Sequence, residues 1–365
     1  MSNNRINYAN HTKTDFIDDL RSQVNEYFKN RNISKFGNTG IKIKSVLMMV
    51  LYVVPFVLML SGLITSVWLM LLFWGVMGIG MAGLGMVLMH DANHRTYSKN
   101  QKINAFLGNS LYLLGGFPAT WKFQHNTLHH GYTNIDGFDG DIHTTGYLRF
   151  SPNQPHHKIH RIQQWYAWFF YTLMTISWIT VKDFQQLWNW RDNELFVKSN
   201  KSYSKLYRDL IVSKILYYGI ALALPIILIP FAWYWVFIGF LVMHIVAGFS
   251  LTIIFQTAHV MPTSSFPLPD DSGNIENSWA VHQLMTTTDY APNSKVFSWL
   301  IGGLNFQVVH HLFPTVSHVH YKNLSEIVKK TTRKYQLPYH VQSSFLKAVY
   351  SHFLMLRQLG KNMSA

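Results

Sequence analysis

The stretch Met81-Ala-Gly-Leu-Gly-Met-Val-Leu-Met89-His90-Asp-Ala-Asn-His94 joins an apolar run directly to a pair of histidines. Upstream of it, from Ser45 to Met89, there is no Asp, Glu, Lys, Arg or His. A membrane-spanning helix needs about 20 apolar residues to cross a hydrocarbon core of roughly 30 Å. This run is about twice that length, so it reads as two spanning helices, 45–65 and 68–89, turning near Ser61 and Gly62. A second such run extends from Ile215 to Pro269, where His244 and His259 are the only ionisable side chains apart from tyrosines. It reads as helices 209–229 and 231–257, turning near Pro230. The expected fold is an all-α integral membrane protein with four transmembrane helices in two hairpins and a helical cap on one side. Buried helices of a soluble protein are the alternative, and two charge-free runs of this length argue against it.

Composition agrees. Of 365 residues, 48% are hydrophobic and 13% charged, against roughly 25% charged in soluble domains. The polar start, with Asp15, Asp18, Asp19 and Arg21, does not look like a cleavable signal. Three segments follow: a polar N-terminal part (1–44), a membrane domain (45–330) and a helical tail (331–365). Asn10-His-Thr-Lys-Thr14 before an apolar-periodic stretch predicts an N-capped amphipathic helix. Gly75, Gly78, Gly80, Gly83 and Gly85 suit close backbone approach in lipid. Shorter apolar segments near 104–117 and 164–181 read as interfacial or re-entrant helices.

The net charge of +14 is spread over the polar segments. No nucleic-acid-binding motif accompanies it, so no nucleic-acid partner is expected. The turns near 61–67 and 230–234 hold no Lys or Arg. The positive-inside rule then assigns both termini and the central region to the cytoplasm. In this reading His90 ends the second helix, and His259, in Phe255-Gln-Thr-Ala-His259, ends the fourth on the same side.

Histidines recur in three clusters: His90 and His94, then His125, His129 and His130, then His310 and His311 after Gln307. An i, i+4 pair lies on one α-helical face, so His90/His94 and His125/His129 can each aim at one place. With His259 there are eight imidazoles, and Gln307 stands where a ninth donor would be. Zero cysteines exclude thiolate-bound zinc, iron–sulfur ligation and disulfides by this chain. One zinc takes about three or four ligands. The His-Glu-x-x-His helix of zinc proteases is absent, as are the Glu-x-x-His pairs of carboxylate-bridged bundles. An imidazole-rich di-iron centre remains.

These boxes, in this order and beside two apolar runs, resemble the membrane fatty acid desaturase superfamily. Gly302-Gly-Leu-Asn-Phe-Gln-Val-Val-His-His-Leu-Phe-Pro314, with glutamine in place of the third box's first histidine, resembles the front-end (delta-5/delta-6-like) subgroup. That subgroup inserts a double bond between an existing one and the carboxyl end. Asn126-Thr-Leu-His-His-Gly-Tyr-Thr-Asn134, Gly137-Phe-Asp-Gly-Asp141 and His282-Gln-Leu-Met-Thr-Thr-Thr-Asp289 are similar to it as well. The resemblance implies two iron ions using O2, with His90, His94, His125, His129, His130, His259, Gln307, His310 and His311 around them. It implies a fatty acyl substrate carried by coenzyme A or phospholipid. No His-Pro-Gly-Gly haem motif of a fused cytochrome b5 domain occurs in this chain. The resemblance is therefore to shorter bacterial relatives of the inner (plasma) membrane. The resemblance then implies electrons from NAD(P)H through a reductase and a separate ferredoxin or cytochrome b5-like carrier.

Asp91, Asn93, Asp139 and Asp141 are candidates to hold ligand imidazoles by their far ring nitrogen, with turn chemistry the alternative for Asp139. His282 is a candidate supporting group or spare ligand. Trp121 either lines an acyl channel or anchors the interface. His244, inside the fourth helix, reads as a neutral imidazole hydrogen-bonded between helices. A hydroxylase on the same scaffold is the nearest rival function. A metal transporter would need ionisable groups across the bilayer, and the outer halves of these helices lack them.

The orientation is testable because the chain has no cysteine background. In intact cells an impermeant thiol reagent should label Leu63→Cys and miss Asn100→Cys. The reverse pattern overturns the topology.

Overall fold

The computed structural model describes residues 6–9, 14–144, 146–199 and 202–362. The capping segment expected at Asn10–Lys13 lies outside them. The helix that should follow is present at Thr14–Asn30. The protein is mostly helical. Four helices are long and apolar enough to cross a membrane: Thr39–Leu60, Val67–Asn93, Tyr203–Leu228 and Trp233–His259. The expectation of an all-α chain needs one adjustment, since short parallel strand pairs join Asn7–Tyr8 to Asn274–Ile275 and Asp289–Tyr290 to Val341–Gln342. The 104–117 and 164–181 segments form short helices, beginning with Gln101–Gly108 and Gln163–Thr172, and none of these is a candidate span.

The chain divides into two compact units. One comprises residues 38–123 and 168–253 and holds most of the apolar helices. Within it the Val67 helix approaches its neighbours through glycine. A Cβ added at Gly80 would lie 2.6 Å from the Tyr52 backbone nitrogen, and one at Gly78 would lie 2.6 Å from the Met243 carbonyl oxygen. Both are closer than real side chains allow, so these helices pack backbone to backbone, as small residues permit in lipid. Gly62, at φ 75°, takes the left-handed turn after Leu60 that only glycine adopts freely.

The ionisable groups buried among the apolar helices of this unit include two matched clusters. Lys214, inside the third span, donates to Asp183 (2.6 Å), to the Gly115 carbonyl (2.6 Å) and to the Trp178 carbonyl (3.2 Å). Asp183 also accepts from the Thr120 hydroxyl (2.7 Å) and the Trp178 indole (3.1 Å). His244 meets the Tyr217 hydroxyl at 2.8 Å and the Thr175 hydroxyl at 3.1 Å. It is therefore the interhelical hydrogen-bonding imidazole expected from sequence.

The other unit comprises residues 1–37, 124–167 and 254–365. Its core runs from Phe16, Leu20 and Val24, one face of the Thr14–Asn30 helix, to Val308, Val309 and Leu312 of the third histidine box and to Leu324 and Val328. Apolar residues spaced by four make that face continuous. The packing fixes the short Gln307–Leu312 helix from behind.

A charge left alone in a buried site is costly, whereas a shape-matched apolar pair is not. Lys214→Ala should therefore destabilise the detergent-solubilised protein by about 3–5 kcal/mol. The double change Asp183→Leu with Lys214→Met should restore most of that loss in thermal unfolding. Equal destabilisation by both would show that the pair contributes through something other than charge burial.

Candidate metal centre

The second box departs from the α-helix expected for it. Phe123–His129 is a π-helical turn, with wider i→i+5 spacing. The spacing brings together His125 and His130, whose Nε2 atoms face each other at 3.3 Å. His125 and His129 still stack, with ring centroids 5.4 Å apart. A second π turn, Leu84–Met89, precedes the first box. Beyond it the His90 and His94 rings stand 4.6 Å apart, and Trp121 meets both edge-on at 6.2 and 6.3 Å.

Within residues 124–167 and 254–365 the second and third boxes converge with His259. His129, His259 and His311 bring ligand nitrogens within 4.8 Å of one another, all buried. Their Nε2 atoms have no hydrogen-bond partner among the described residues. Each ring is held at its other nitrogen. His129 Nδ1 lies 3.1 Å from both oxygens of Asp139. His311 Nδ1 lies 2.7 Å from the Gln283 amide oxygen, and His259 Nδ1 3.4 Å from the Thr286 carbonyl oxygen. These oxygens only accept, so each Nδ1 carries the proton and each Nε2 presents a lone pair. Three buried, unpartnered lone pairs at this spacing fit a divalent metal. A second group lies beside them: His125 stacks on His310 at 5.9 Å, His130 meets His310 at 4.5 Å, and His310 Nδ1 lies 3.0 Å from the Tyr321 hydroxyl.

Electrostatics favour a proton on His129 Nδ1, facing Asp139, and a neutral His311 ring. Burial works against charge on both His129 and Asp139, but their mutual attraction wins, raising the imidazole's pKa and lowering the carboxyl's. Backbone N–H groups of Asn134 and Asp141, both at 2.9 Å, help hold Asp139 ionised. Burial, with neighbouring imidazoles, pushes His311 well below the ordinary imidazole value.

Other sequence candidates occupy different roles. Asp141 sits 3.5 Å from His129 Nδ1 and binds the Gln124 amide. His282, lowered to about 4 by burial, uses Nε2 on the Thr133 carbonyl at 2.8 Å. Asp91 lies 3.7 Å from His90 Nδ1, and Asn93 donates to the Gly108 carbonyl. Gln307 is fully buried, and neither amide atom has a protein partner among the described residues.

Sequence reasoning missed Gln283. Its amide nitrogen donates to the His130 carbonyl (3.2 Å) and its oxygen also meets the Thr133 hydroxyl (2.9 Å), so one side chain ties the second box to the third. Its place beside His282 in the quoted tract is the only signal the sequence offered. Asp289 was quoted without a role. Its carboxylate accepts from the Val308 N–H at 2.9 Å and from the Tyr339 hydroxyl. It thus caps the Gln307–Leu312 helix, whose own N-cap residue supplies no side-chain bond.

Residues 66–343 match the sequence family described as fatty acid desaturase. The chain belongs to that family. It is 33% identical over 344 residues to the sn-1 linoleoyl-lipid 6-desaturase of Synechocystis sp., covering 94% of each chain. It is 31% identical over 350 residues to the enzyme of the same name from Arthrospira platensis, covering 95% of this chain and 93% of the relative. An acyl-lipid (8-3)-desaturase of Physcomitrium patens is 31% identical over 363 residues, 97% of this chain and 74% of the relative. The chain is thus an oxidoreductase, an acyl desaturase.

Two outcomes test this site. Asp139→Asn sets an amide NH2 among three donors, and Gln283→Leu frees the His311 ring. Each should weaken metal retention ~10–100-fold, measured as iron held against graded chelator. Unchanged retention in both removes these residues from the site. Burial raises the Asp289 carboxyl to about 7, despite bonds from Tyr339 and Val308 that favour its charge. The folded state therefore holds a proton that the unfolded chain releases from about pH 4, and stability from this group falls as pH rises towards about 7. Asp289→Asn should flatten that part of the melting-temperature profile. An unaltered profile would overturn the assignment.

Proposed function

We propose that this desaturase acts on acyl groups of membrane lipids and places its double bond between an existing one and the carboxyl end. The reading rests on Gln307 in the third box and on relatives named as lipid 6- and (8-3)-desaturases. The metal part rests on one observation, the three unpartnered Nε2 atoms of His129, His259 and His311. With His125, His130 and His310, and with His90, His94 and Gln307 included from their sequence boxes, these are the proposed ligands of two iron ions. Bound iron, with dioxygen and electrons delivered from NAD(P)H by a separate carrier protein and its reductase, supplies the oxidising power an unactivated methylene pair requires.

The chain's own residues do the rest. Asp139, Gln283 and the Thr286 carbonyl fix three ring orientations before any ion arrives, so little reorganisation is needed on binding. Trp121, edge-on to His90 and His94, is the proposed wall against which the acyl chain rests. Apolar packing around the boxes keeps bulk water from the reacting carbons. The four spans are proposed as two hairpins in a bacterial inner membrane. Both termini and the helical cap are cytoplasmic, an arrangement supported by the Lys and Arg distribution.

Expression in a host with linoleoyl lipids should yield a new double bond on the carboxyl side of those present, located by mass spectrometry. A bond on the methyl side, or a hydroxylated product, overturns the reading. Gln307→Ala should lose most activity, while Gln307→His should keep iron and turn over more slowly, since a stronger donor alters the geometry and oxidising power of that ion. Wild-type activity and full iron in Gln307→Ala would remove Gln307 from the centre.

A further inference from the structure

The Phe345–Lys361 helix is anchored on one side only. Its inner face buries Ala348, His352, Met355, Leu356 and Leu359. His352 Nδ1 bonds the Val260 carbonyl at 2.8 Å, Gln163 donates to the Leu356 carbonyl at 2.8 Å, and Arg149 donates to the Leu359 carbonyl at 2.8 Å. The helix cannot roll over without breaking these bonds. An amphipathic helix at a water boundary presents polar side chains on its outer face. Here the outer positions include Leu346 (80% exposed) and Tyr350 (62%).

The adjoining segment continues the same surface. Trp165 is 69% and Ile162 58% exposed, and the Trp165 ring packs against Phe353 of the helix with centroids 5.0 Å apart. The cations Lys158, Arg161, Lys347 and Arg357 are exposed in the same two segments. No Asp or Glu occurs between Asp141 and Asp183, or after Glu326. Soluble surfaces rarely gather large apolar side chains into one patch without using it.

We propose that this face, built on Ile162, Trp165, Leu346 and Tyr350, lies in the headgroup–acyl boundary of an anionic bilayer. Trp and Tyr are the side chains favoured at that depth, with an apolar body and a polar edge. Lys and Arg beside them neutralise anionic headgroups, and an all-basic rim meets no repulsion there. A protein partner of acidic surface would match the cations and leave the aromatic centre without a counterpart. The C-terminal helix is then a monotopic membrane contact, separate from the four spans, and the inference does not depend on the metal reading.

The absence of native cysteine makes the test direct. Leu346→Cys and Ile162→Cys, with Glu326→Cys as the comparison, are labelled with an environment-sensitive fluorophore in the full-length protein. They are reconstituted into phosphatidylcholine vesicles containing phosphatidylglycerol and lipid brominated near the carboxyl end of its chains. Probes at 346 and 162 should shift to shorter wavelength and lose emission to the brominated lipid, while the probe at 326 does neither. If all three probes respond alike, the face is not in the membrane and the proposal fails. It fails also if shielding at 346 appears only at high protein-to-lipid ratio, which marks a second copy of the chain. Shielding only on addition of an acidic carrier protein overturns it in favour of that partner.

Discussion

A buried imidazole offers its lone pair to a metal only when its other nitrogen is protonated and held. That requirement organises the unit containing residues 124–167 and 254–365. His129, His259 and His311 meet it with a carboxylate, a backbone carbonyl and a side-chain amide, respectively. Each acceptor has to be delivered by its own piece of chain. Asp139 is returned to His129 by a loop with left-handed residues at Asn134 (φ 58°) and Gly137 (φ 81°). The Asn134 side chain donates to the His259 carbonyl at 3.0 Å, so one loop serves two of the clustered imidazoles. Gln283 comes from the Trp279–Thr286 helix, whose last residue supplies the carbonyl facing His259. Few of these groups can move alone, because each bond is shared with a neighbour's orientation.

The same economy of polar groups governs the apolar unit. Lipid offers no hydrogen bonds, so a polar side chain at that depth is matched within the protein or carries a large penalty. Lys214 and Asp183 are matched to each other, and their remaining capacity goes to two backbone carbonyls, a hydroxyl and an indole. His244 is matched at both ring nitrogens. Gln307, in the other unit, is a fully buried amide with both atoms unmatched among the described residues. An amide in that condition sits where a further polar partner, such as water, is expected.

The π turns show how local backbone geometry adjusts a sequence motif. The second box reads as an α-helical i, i+4 pair. The chain instead widens to i→i+5 over Phe123–His129, bringing His130 opposite His125. Nothing in the residue types of that segment signals the change, since helical propensity is a sum of small terms that tertiary packing overrides.

Much of this protein was determined by the sequence alone. Four spans could be placed because hydrophobic length is a one-dimensional property that a bilayer imposes regardless of partners. The ends differ from the expected bounds in both directions: helical backbone continues past the apolar run at Thr39, Asn93 and Tyr203, whereas the first helix stops at Leu60, before the expected 65, where Gly62 turns the chain. The amphipathic N-terminal helix and the glycine contacts were legible for similar reasons, being properties of one face at a fixed period. The clustering of imidazoles was legible from three repeated boxes. Tertiary structure alone decided which acceptor holds which ring. Gln283 reaches His311 across 28 positions and Thr133 across 150, and Asp289 caps a helix 19 positions away. Hydrogen-bond pairing depends on where separate segments meet in space, and no periodicity along the chain encodes that.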